Sequence, residues 1–344
     1  MSRLGRREIL TGAGAIAAAA AVAPLAAQAP APIGLKGKTF LVTGASSGFG
    51  KLGVLHYARL GAKVFATMRN LPRPEAEELR AAARDEKLDL TVLQLDVTSD
   101  DGVAMAISQA EQLNGGALDV LVNNAGINIY GPVEMQDMEA TRLSYDTNVF
   151  GFQRTMRAAL PAMRQRKAGL IVNVSSQQGR IIMPNAGIYS ATKFAVESMS
   201  EQIAYELAPH GIEVTIIEPG GFPTGIGVSR ARLSAALAER SDERHSNGYP
   251  EVAAQMRDGA RNMPTGEAAT QAMARAYGGT VPDAMDVPRA IAEVAAMPAG
   301  TRPLRRPVHP GPKPQEAINR VCSETQLALL GRGQYAPWAR AVLE

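Results

Sequence analysis

Tyr189 and Lys193 stand four residues apart in the run Gly187-Ile188-Tyr189-Ser190-Ala191-Thr192-Lys193-Phe194-Ala195. On a helix, positions i and i+4 share a face. A phenol beside an ammonium is a proton-transfer pair. The positive charge favours phenolate and draws the tyrosine pKa from about 10 toward neutrality. A tyrosine tuned in this way can give or take a proton near pH 7. The same spacing also occurs as a plain solvated helix pair, so the residues upstream decide what it means.

Upstream, residues 39–43 (Thr-Phe-Leu-Val-Thr) form a short apolar run that reads as a strand. Gly44, Ser46, Ser47, Gly48, Phe49 and Gly50 follow at once, and residues 51–60 read as an amphipathic helix. Strand, glycine-rich turn and helix in that order are the setting a dinucleotide requires. Glycines let the backbone turn tightly and approach a pyrophosphate, and the helix N-terminus presents free N–H groups to that anion.

The elements that would position these groups are legible as well. Further short, near-continuous apolar runs at 63–67, 90–95, 118–122, 170–174 and 212–217 read as strands buried on both faces. A seventh candidate, 303–309, carries Pro303 and Pro307 and belongs at an edge. With helical stretches between the strands, the pattern predicts an α/β fold: a doubly wound, mostly parallel seven-stranded sheet with helices on both faces. Residues 35–344 read as one domain. Residues 222–286 read as an insertion whose helices, at 229–241 and 250–262, form a C-terminal substrate lid. Residues 310–344 are a C-terminal extension.

Taken together, the runs resemble the short-chain dehydrogenase/reductase family, in the variety built on Thr-Gly-x-x-x-Gly-x-Gly and Tyr-x-x-x-Lys. Leu95-Asp96-Val97-Thr98 resembles its adenine-contacting strand end, and Asn123-Asn124-Ala125-Gly126 its Asn-Asn-Ala-Gly signature. Asn148, in Thr147-Asn148-Val149-Phe150-Gly151, matches its catalytic asparagine. The run 171–176 (Ile-Val-Asn-Val-Ser-Ser) matches the strand leading to its catalytic serine, and Glu218-Pro219-Gly220 its Pro-Gly after the sixth strand. The resemblance covers about residues 35–224. It implies a Rossmann-like oxidoreductase that interconverts a carbonyl and an alcohol by hydride transfer, acting on a small molecule. It implies Tyr189 as general acid/base, Lys193 on the nicotinamide ribose, Asn148 in a water relay to Lys193, and a serine polarising the substrate oxygen. The family's serine lies thirteen positions before the tyrosine, which selects Ser176, with Ser175 as the fallback. Residues 177–188 would then wall the substrate site. The implied cofactor contacts are the glycine-rich loop, Arg69, Asp96, Val97, Asn124, Ala125, Gly126, Tyr189, Lys193, Pro219, Gly220 and Thr224.

The second strand ends Phe65-Ala66-Thr67-Met68-Arg69-Asn70. NAD-preferring relatives place an acid where Met68 stands, to meet a ribose 2′-OH. Arg69 matches the arginine that meets a 2′-phosphate, so NADP(H) is expected over NAD(H). Glu218-Pro219-Gly220 and Met68-Arg69 resemble the branch acting on steroids and retinoids. A rival reading is a catalytically silent NADP-binding sensor or scaffold, but such proteins lack one of the four catalytic groups present here. Epimerases of the longer branch space their glycines as Gly-x-x-Gly-x-x-Gly, unlike Gly44, Gly48 and Gly50.

Composition excludes other classes. The formal net charge of +3 and the lack of a basic stripe interleaved with aromatics argue against nucleic acid. The single cysteine, Cys322, allows no intrachain disulfide. His56, His210, His245 and His309 are scattered without metal-ligand spacing, so no metal site is predicted. Residues 140–163 and 187–208 resemble the helices that relatives pair across a two-fold axis. Their apolar Leu143, Val149, Phe150, Phe194, Val196 and Met199 predict a homo-dimer or homo-tetramer.

At the N-terminus, Gly5-Arg6-Arg7-Glu8-Ile9-Leu10 resembles the twin-arginine export motif. An Ala-rich apolar run to residue 27 follows, then the small-x-small run Ala27-Gln28-Ala29. Residues 1–30 therefore read as a twin-arginine-type signal, giving a periplasmic enzyme with no stable membrane insertion after signal removal. An uncleaved membrane anchor and a cytoplasmic location are the alternatives.

Overall fold

Alternation of side chains along each strand divides the interior into two apolar layers. Among the described residues seven strands form one parallel sheet: β1 (Thr39–Val42), β2 (Lys63–Met68), β3 (Leu90–Gln94), β4 (Val120–Asn123), β5 (Gly169–Val174), β6 (Ile212–Pro219) and β7 (Arg305–Val308). Their order is β3-β2-β1-β4-β5-β6-β7. The helices are α1 (Gly48–Arg59), α2 (Pro74–Glu86), α3 (Asp100–Asn114), α4 (Met138–Tyr145), α5 (Gly151–Arg166) and α6 (Ile188–Leu207). They continue with α7 (Ile226–Arg240), α8 (Glu243–Ser246), α9 (Pro250–Gly259), α10 (Gly266–Ala276), α11 (Asp286–Ala296), α12 (Gln315–Leu330) and α13 (Ala336–Leu343). This computed structural model describes residues 33–259, 261, 262, 264, 266–276, 279 and 281–344. The predicted export segment lies outside them.

Phe40 and Val42 of β1 face a layer with Val54 and Tyr57 of α1 and with Ile291 and Val294 of α11. Leu41 points the other way, into a layer with Ile107 of α3, Phe152 and Met156 of α5 and Val196 of α6. The doubly wound parallel sheet is the predicted fold. The chain leaves β1 toward one edge and returns at β4 beside it, so the C-terminal ends of β1 and β4 flank the point where strand order reverses. In such sheets that crevice is where ligands bind.

Several elements differ in extent from the sequence reading. β6 runs on to Pro219, because Ile216 N and Gly220 N donate to Leu304 O and Val308 O across to β7 at 2.7 and 3.0 Å. β7 itself takes the edge, as its prolines require. Helix α11, the crossover into β7, was not singled out in the sequence. A third, smaller core lies under α7 and α9, where Leu237, Ala253 and Met256 pack on Ile127, Ile129 and Met135. Helix α13 packs along α6, bringing Val342 and Leu343 against the second layer.

Candidate active site

Glycine geometry shapes the nucleotide side. Gly44 and Gly48 adopt φ of +71° and +53°, the left-handed region that side chains rarely enter. A Cβ on Gly50 would collide with Gly44 O and lie 2.6 Å from Asn124 Nδ2. The loop is closed from behind by Asn124 and Thr43. Asn124 Nδ2 donates to Thr43 O at 2.9 Å, and Asn124 N and Ala125 N both donate to Thr43 Oγ1 at 3.0 Å. Asn124 therefore acts here by holding the loop in shape. Ser47 caps α1 in an extended conformation without a side-chain capping bond, and the first turn of α1 carries no acid. Open N–H groups, a free hydroxyl and no competing carboxylate suit an anion. The residues present therefore fit a dinucleotide pyrophosphate. Thr224 comes within contact distance of Gly48, and Gly225 of Ser47.

The other predicted contacts lie along the same edge. Met68 is buried, and Arg69 beyond it is exposed, with no ion-pair partner among the described residues. Asp96 Oδ1 accepts from Thr98 N and Thr98 Oγ1 at 3.0 and 2.8 Å. Val97 is buried against Gly151. Gly220 closes the end of β6 so tightly that a Cβ there would meet the His309 ring, and Pro219 pairs with Val308 in the same register.

Asn148, Ser176, Tyr189 and Lys193 converge although they come from three separate elements. Asn148 occupies a π-helical turn, Asp146–Phe150, between α4 and α5. Such turns widen a helix locally and recur at functional sites. The Asn148 amide is fully used: Oδ1 accepts from Ile127 N at 2.8 Å, and Nδ2 donates to Ile127 O at 2.9 Å and Thr192 Oγ1 at 3.0 Å. A Cβ on Gly126 would fall 3.3 Å from Asn148 Oδ1 and 4.0 Å from Lys193 Nζ, so a glycine separates these two groups. Lys193 is buried, donates to Val174 O at 2.9 Å, and lies 5.6 and 5.7 Å from the Phe152 and Tyr189 ring centroids. Ser176, just beyond β5, lies near enough to Tyr189 to lower its pKa, and its Oγ accepts from Gln178 N at 3.1 Å. The fallback Ser175 points elsewhere, toward Gly179.

The charge state of the pair departs from the sequence expectation. Burial, not the neighbouring ammonium, dominates Tyr189 and pushes its pKa up to about 12. The Ser176 hydrogen bond and the Arg230 charge pull it back, while Tyr130 raises it further. Lys193 is brought down to about 8 by burial, opposed by the Glu197 carboxylate one turn along α6. At neutral pH the site thus holds a phenol and an ammonium.

Four residues that the sequence reading did not name complete the substrate side. Gln178 bridges two walls, donating through Nε2 to Tyr130 OH at 3.0 Å and accepting from Ser190 Oγ at 3.2 Å. Gln136 Nε2 donates to Ile129 O at 2.9 Å, and its Oε1 accepts from Ile188 N at 3.3 Å, fixing the start of α6. Tyr130 and Arg230 face each other, with the guanidinium 4.6 Å from the ring centroid. The Gln178–Tyr130 and Gln136–Ile188 bonds span 48 and 52 residues, and only the placement of 177–188 as a wall pointed toward either. Among the described residues no group of three or more His, Cys, Asp or Glu could hold a metal, and no helix is long and apolar enough to cross a membrane.

A family model described as short chain dehydrogenase matches residues 38–232. The chain belongs to the short-chain dehydrogenase family. One relative is a 3-ketodihydrosphingosine reductase of Bacteroides thetaiotaomicron, 38% identical over 204 residues, covering 59% of this chain and 70% of that protein. The matched segments span 60–70% of the length of the first curated relatives. Two solved structures share the family fold. A short-chain dehydrogenase/reductase from Burkholderia phymatum in complex with NAD is 23% identical with a TM-score of 0.63, covering 87% of this chain and 96% of that one. A variant of actinorhodin polyketide ketoreductase with NADPH is 25% identical with the same TM-score of 0.63, covering 79% and 95%.

Proposed function

We propose that this short-chain dehydrogenase is an NADP(H)-dependent oxidoreductase interconverting a carbonyl and an alcohol, with Tyr189 as general acid/base. The observation that carries the reading is the convergence of buried Tyr189 on Ser176 and Lys193 beside the glycine cradle. When bound, the nicotinamide supplies or takes up the hydride. The chain supplies position and the proton. Ser176 holds the substrate oxygen, and Tyr189 donates its hydroxyl proton to that oxygen in reduction or takes it back in oxidation. The phenol form favoured by burial is the one that reduction requires. Lys193, tied to Val174 O, keeps further N–H groups to hold a ribose, and its charge stabilises the phenolate left after proton transfer. Asn148 acts through the Ile127 backbone and Thr192, fixing the floor on which this exchange occurs.

NADP(H) over NAD(H) rests on exposed, unpaired Arg69 and on the apolar Met68 in place of an acid. A guanidinium recognises a 2′-phosphate bidentately. A carbonyl substrate panel followed by NADPH fluorescence tests the whole reading. Within it, Arg69→Ala should weaken NADPH binding at least roughly tenfold while leaving NADH nearly unchanged. Equal losses, or an initially tighter NADH, would reverse the cofactor assignment.

The α7–α9 helices serve as the substrate lid over this site. Exposed Leu143, Phe150 and Phe194 on α4–α6 support a homo-oligomer, although Val149 and Val196 are spent in the protein's own core. A monomeric mass by light scattering would rule the oligomer out. The Arg6-Arg7 segment supports a periplasmic location, which retention of an intact N-terminus in the cytoplasmic fraction would contradict.

A further inference from the structure

Arg230 lies one turn into α7, with its guanidinium 4.6 Å from the centroid of the Tyr130 ring. Tyr130 is fixed at both ends. Its N–H donates to Ser234 Oγ at 2.8 Å, and its hydroxyl accepts from Gln178 Nε2 at 3.0 Å. Gln178 N in turn donates to Ser176 Oγ at 3.1 Å. An unbroken series of contacts thus runs from the Ser176–Tyr189 hydroxyl pair to one guanidinium. Two nearby arginines are neutralised, Arg240 by Asp137 and Arg305 by Glu197 and Glu201, whereas Arg180 in the 177–188 wall has guanidinium nitrogens without partners. Arg230, half-buried, has no carboxylate partner and no hydrogen-bond acceptor among the described residues. A guanidinium stacked on an aromatic face keeps its N–H edge open, and that edge matches a carboxylate bidentately. Its charge also reaches Tyr189, where it lowers the pKa against the effect of burial. The cation therefore stands on the wall that Tyr130 and Gln178 share with Ser176.

We infer that Arg230 anchors a carboxylate on the substrate, a few bonds from the reacting carbon, so that the substrate class is keto acids and the matching hydroxy acids. This rests on the oxidoreductase reading of the site. The carboxylate is held unchanged while the carbonyl carbon takes the hydride from the reduced dinucleotide and the oxygen takes the Tyr189 proton. Solvent then restores the proton to Tyr189. The Tyr130 ring backs the guanidinium at 4.6 Å, and Gln178 ties that ring to Ser176, so binding the anion also sets where the carbonyl lies.

The test compares wild type, Arg230→Met and Arg230→Lys on matched 2- and 3-keto acids and their methyl esters, with NADPH and with NADH. Wild type should prefer the acids. Arg230→Met should raise KM for the acids by roughly 30- to 100-fold, the range of a lost charge-assisted hydrogen-bond pair, with kcat changed far less. The esters should shift much less than the acids, and Arg230→Lys should recover part of the loss. Unreactive carboxylates such as butyrate should inhibit wild type competitively and Arg230→Met weakly. Melting temperature and NADPH affinity, measured alongside, separate folding and cofactor effects. The inference fails if acids and esters shift together, if wild type prefers esters, or if Arg230→Met weakens NADPH binding as much as acid binding. Turnover of neutral ketones or esters without preference for acids sinks the anchor alone. If wild type turns over no acid, ester or ketone with either cofactor, the oxidoreductase reading itself falls.

Discussion

Beside Tyr189, Asn148 and Lys193 are buried and bonded to backbone at Ile127 and Val174, whereas at the mouth Arg230 is half-buried and the Arg240–Asp137 pair is more than a third exposed. Asn148 and Lys193 spend their bonds on Ile127, Thr192 and Val174, inside the fold. Helix α7 is tied down by the Arg240–Asp137 pair, with side chains 38% and 36% exposed, and by the small core around Met256. Buried bonds to backbone leave the reaction centre one geometry. Surface pairs are individually weak, so the mouth can vary without disturbing the chemistry. In this account the centre determines what reaction occurs and the mouth determines on which molecule.

The largest effect should come from breaking the centre. Asn148→Ala leaves Ile127 N, Ile127 O and Thr192 Oγ1 short of partners in a dry interior. It should destabilise the protein by about 3 kcal/mol, and the displaced floor should lower kcat by roughly 10- to 100-fold. Thermal melting and steady-state kinetics check both. Loss of activity without loss of stability would mean that Asn148 touches the reactants rather than positioning the floor.

A smaller effect should come from the buried charges behind the centre. Glu218 is pushed up to about 8 by burial and by the Glu197 carboxylate, against the opposing Asn319 hydrogen bond and the Arg305 charge. A carboxyl whose folded pKa is raised stabilises most below its unfolded value of about 4.5, and that contribution is lost as pH rises through about 8. Glu218→Gln keeps the neutral form at every pH. Its melting temperature should match wild type near pH 5 and exceed it by about 3–6 °C near pH 9. A gap that stays constant with pH would show that Glu218 does not titrate in this range.

The smallest effect should come from the mouth. Arg240→Ala removes an ion pair that is more than a third exposed, so stability should fall by no more than about 0.5 kcal/mol. Looser seating of α7 should raise KM about two- to threefold, with kcat unchanged. A kcat loss as large as that of Asn148→Ala would erase the distinction between the two regions.

What could be read from the sequence follows the same division. Parallel strands buried on both faces leave continuous apolar runs, so six of the seven stood out, and Pro307 marked the edge. The tetrad was legible because Tyr189 and Lys193 share a helix face, while the spacing to Ser176 and the run around Asn148 follow a family pattern. Gln178, Tyr130, Gln136 and Arg230 were not legible, because their roles arise only when loops far apart in the chain fold together. The direction of the Tyr189 shift also escaped the sequence. A neighbouring charge can be counted from residue spacing, but the burial that leaves Tyr189 only 7% exposed cannot.

Tyr189→Phe tests the Tyr189 proton transfer directly, assayed on any carbonyl that wild type reduces, with equilibrium NADPH binding followed by fluorescence on the same preparation. The substitution keeps the ring and removes only the hydroxyl that faces Ser176. kcat should fall at least roughly 100-fold, the usual contribution of a positioned acid, with nucleotide affinity unchanged. Turnover within a few-fold of wild type would contradict proton transfer by Tyr189.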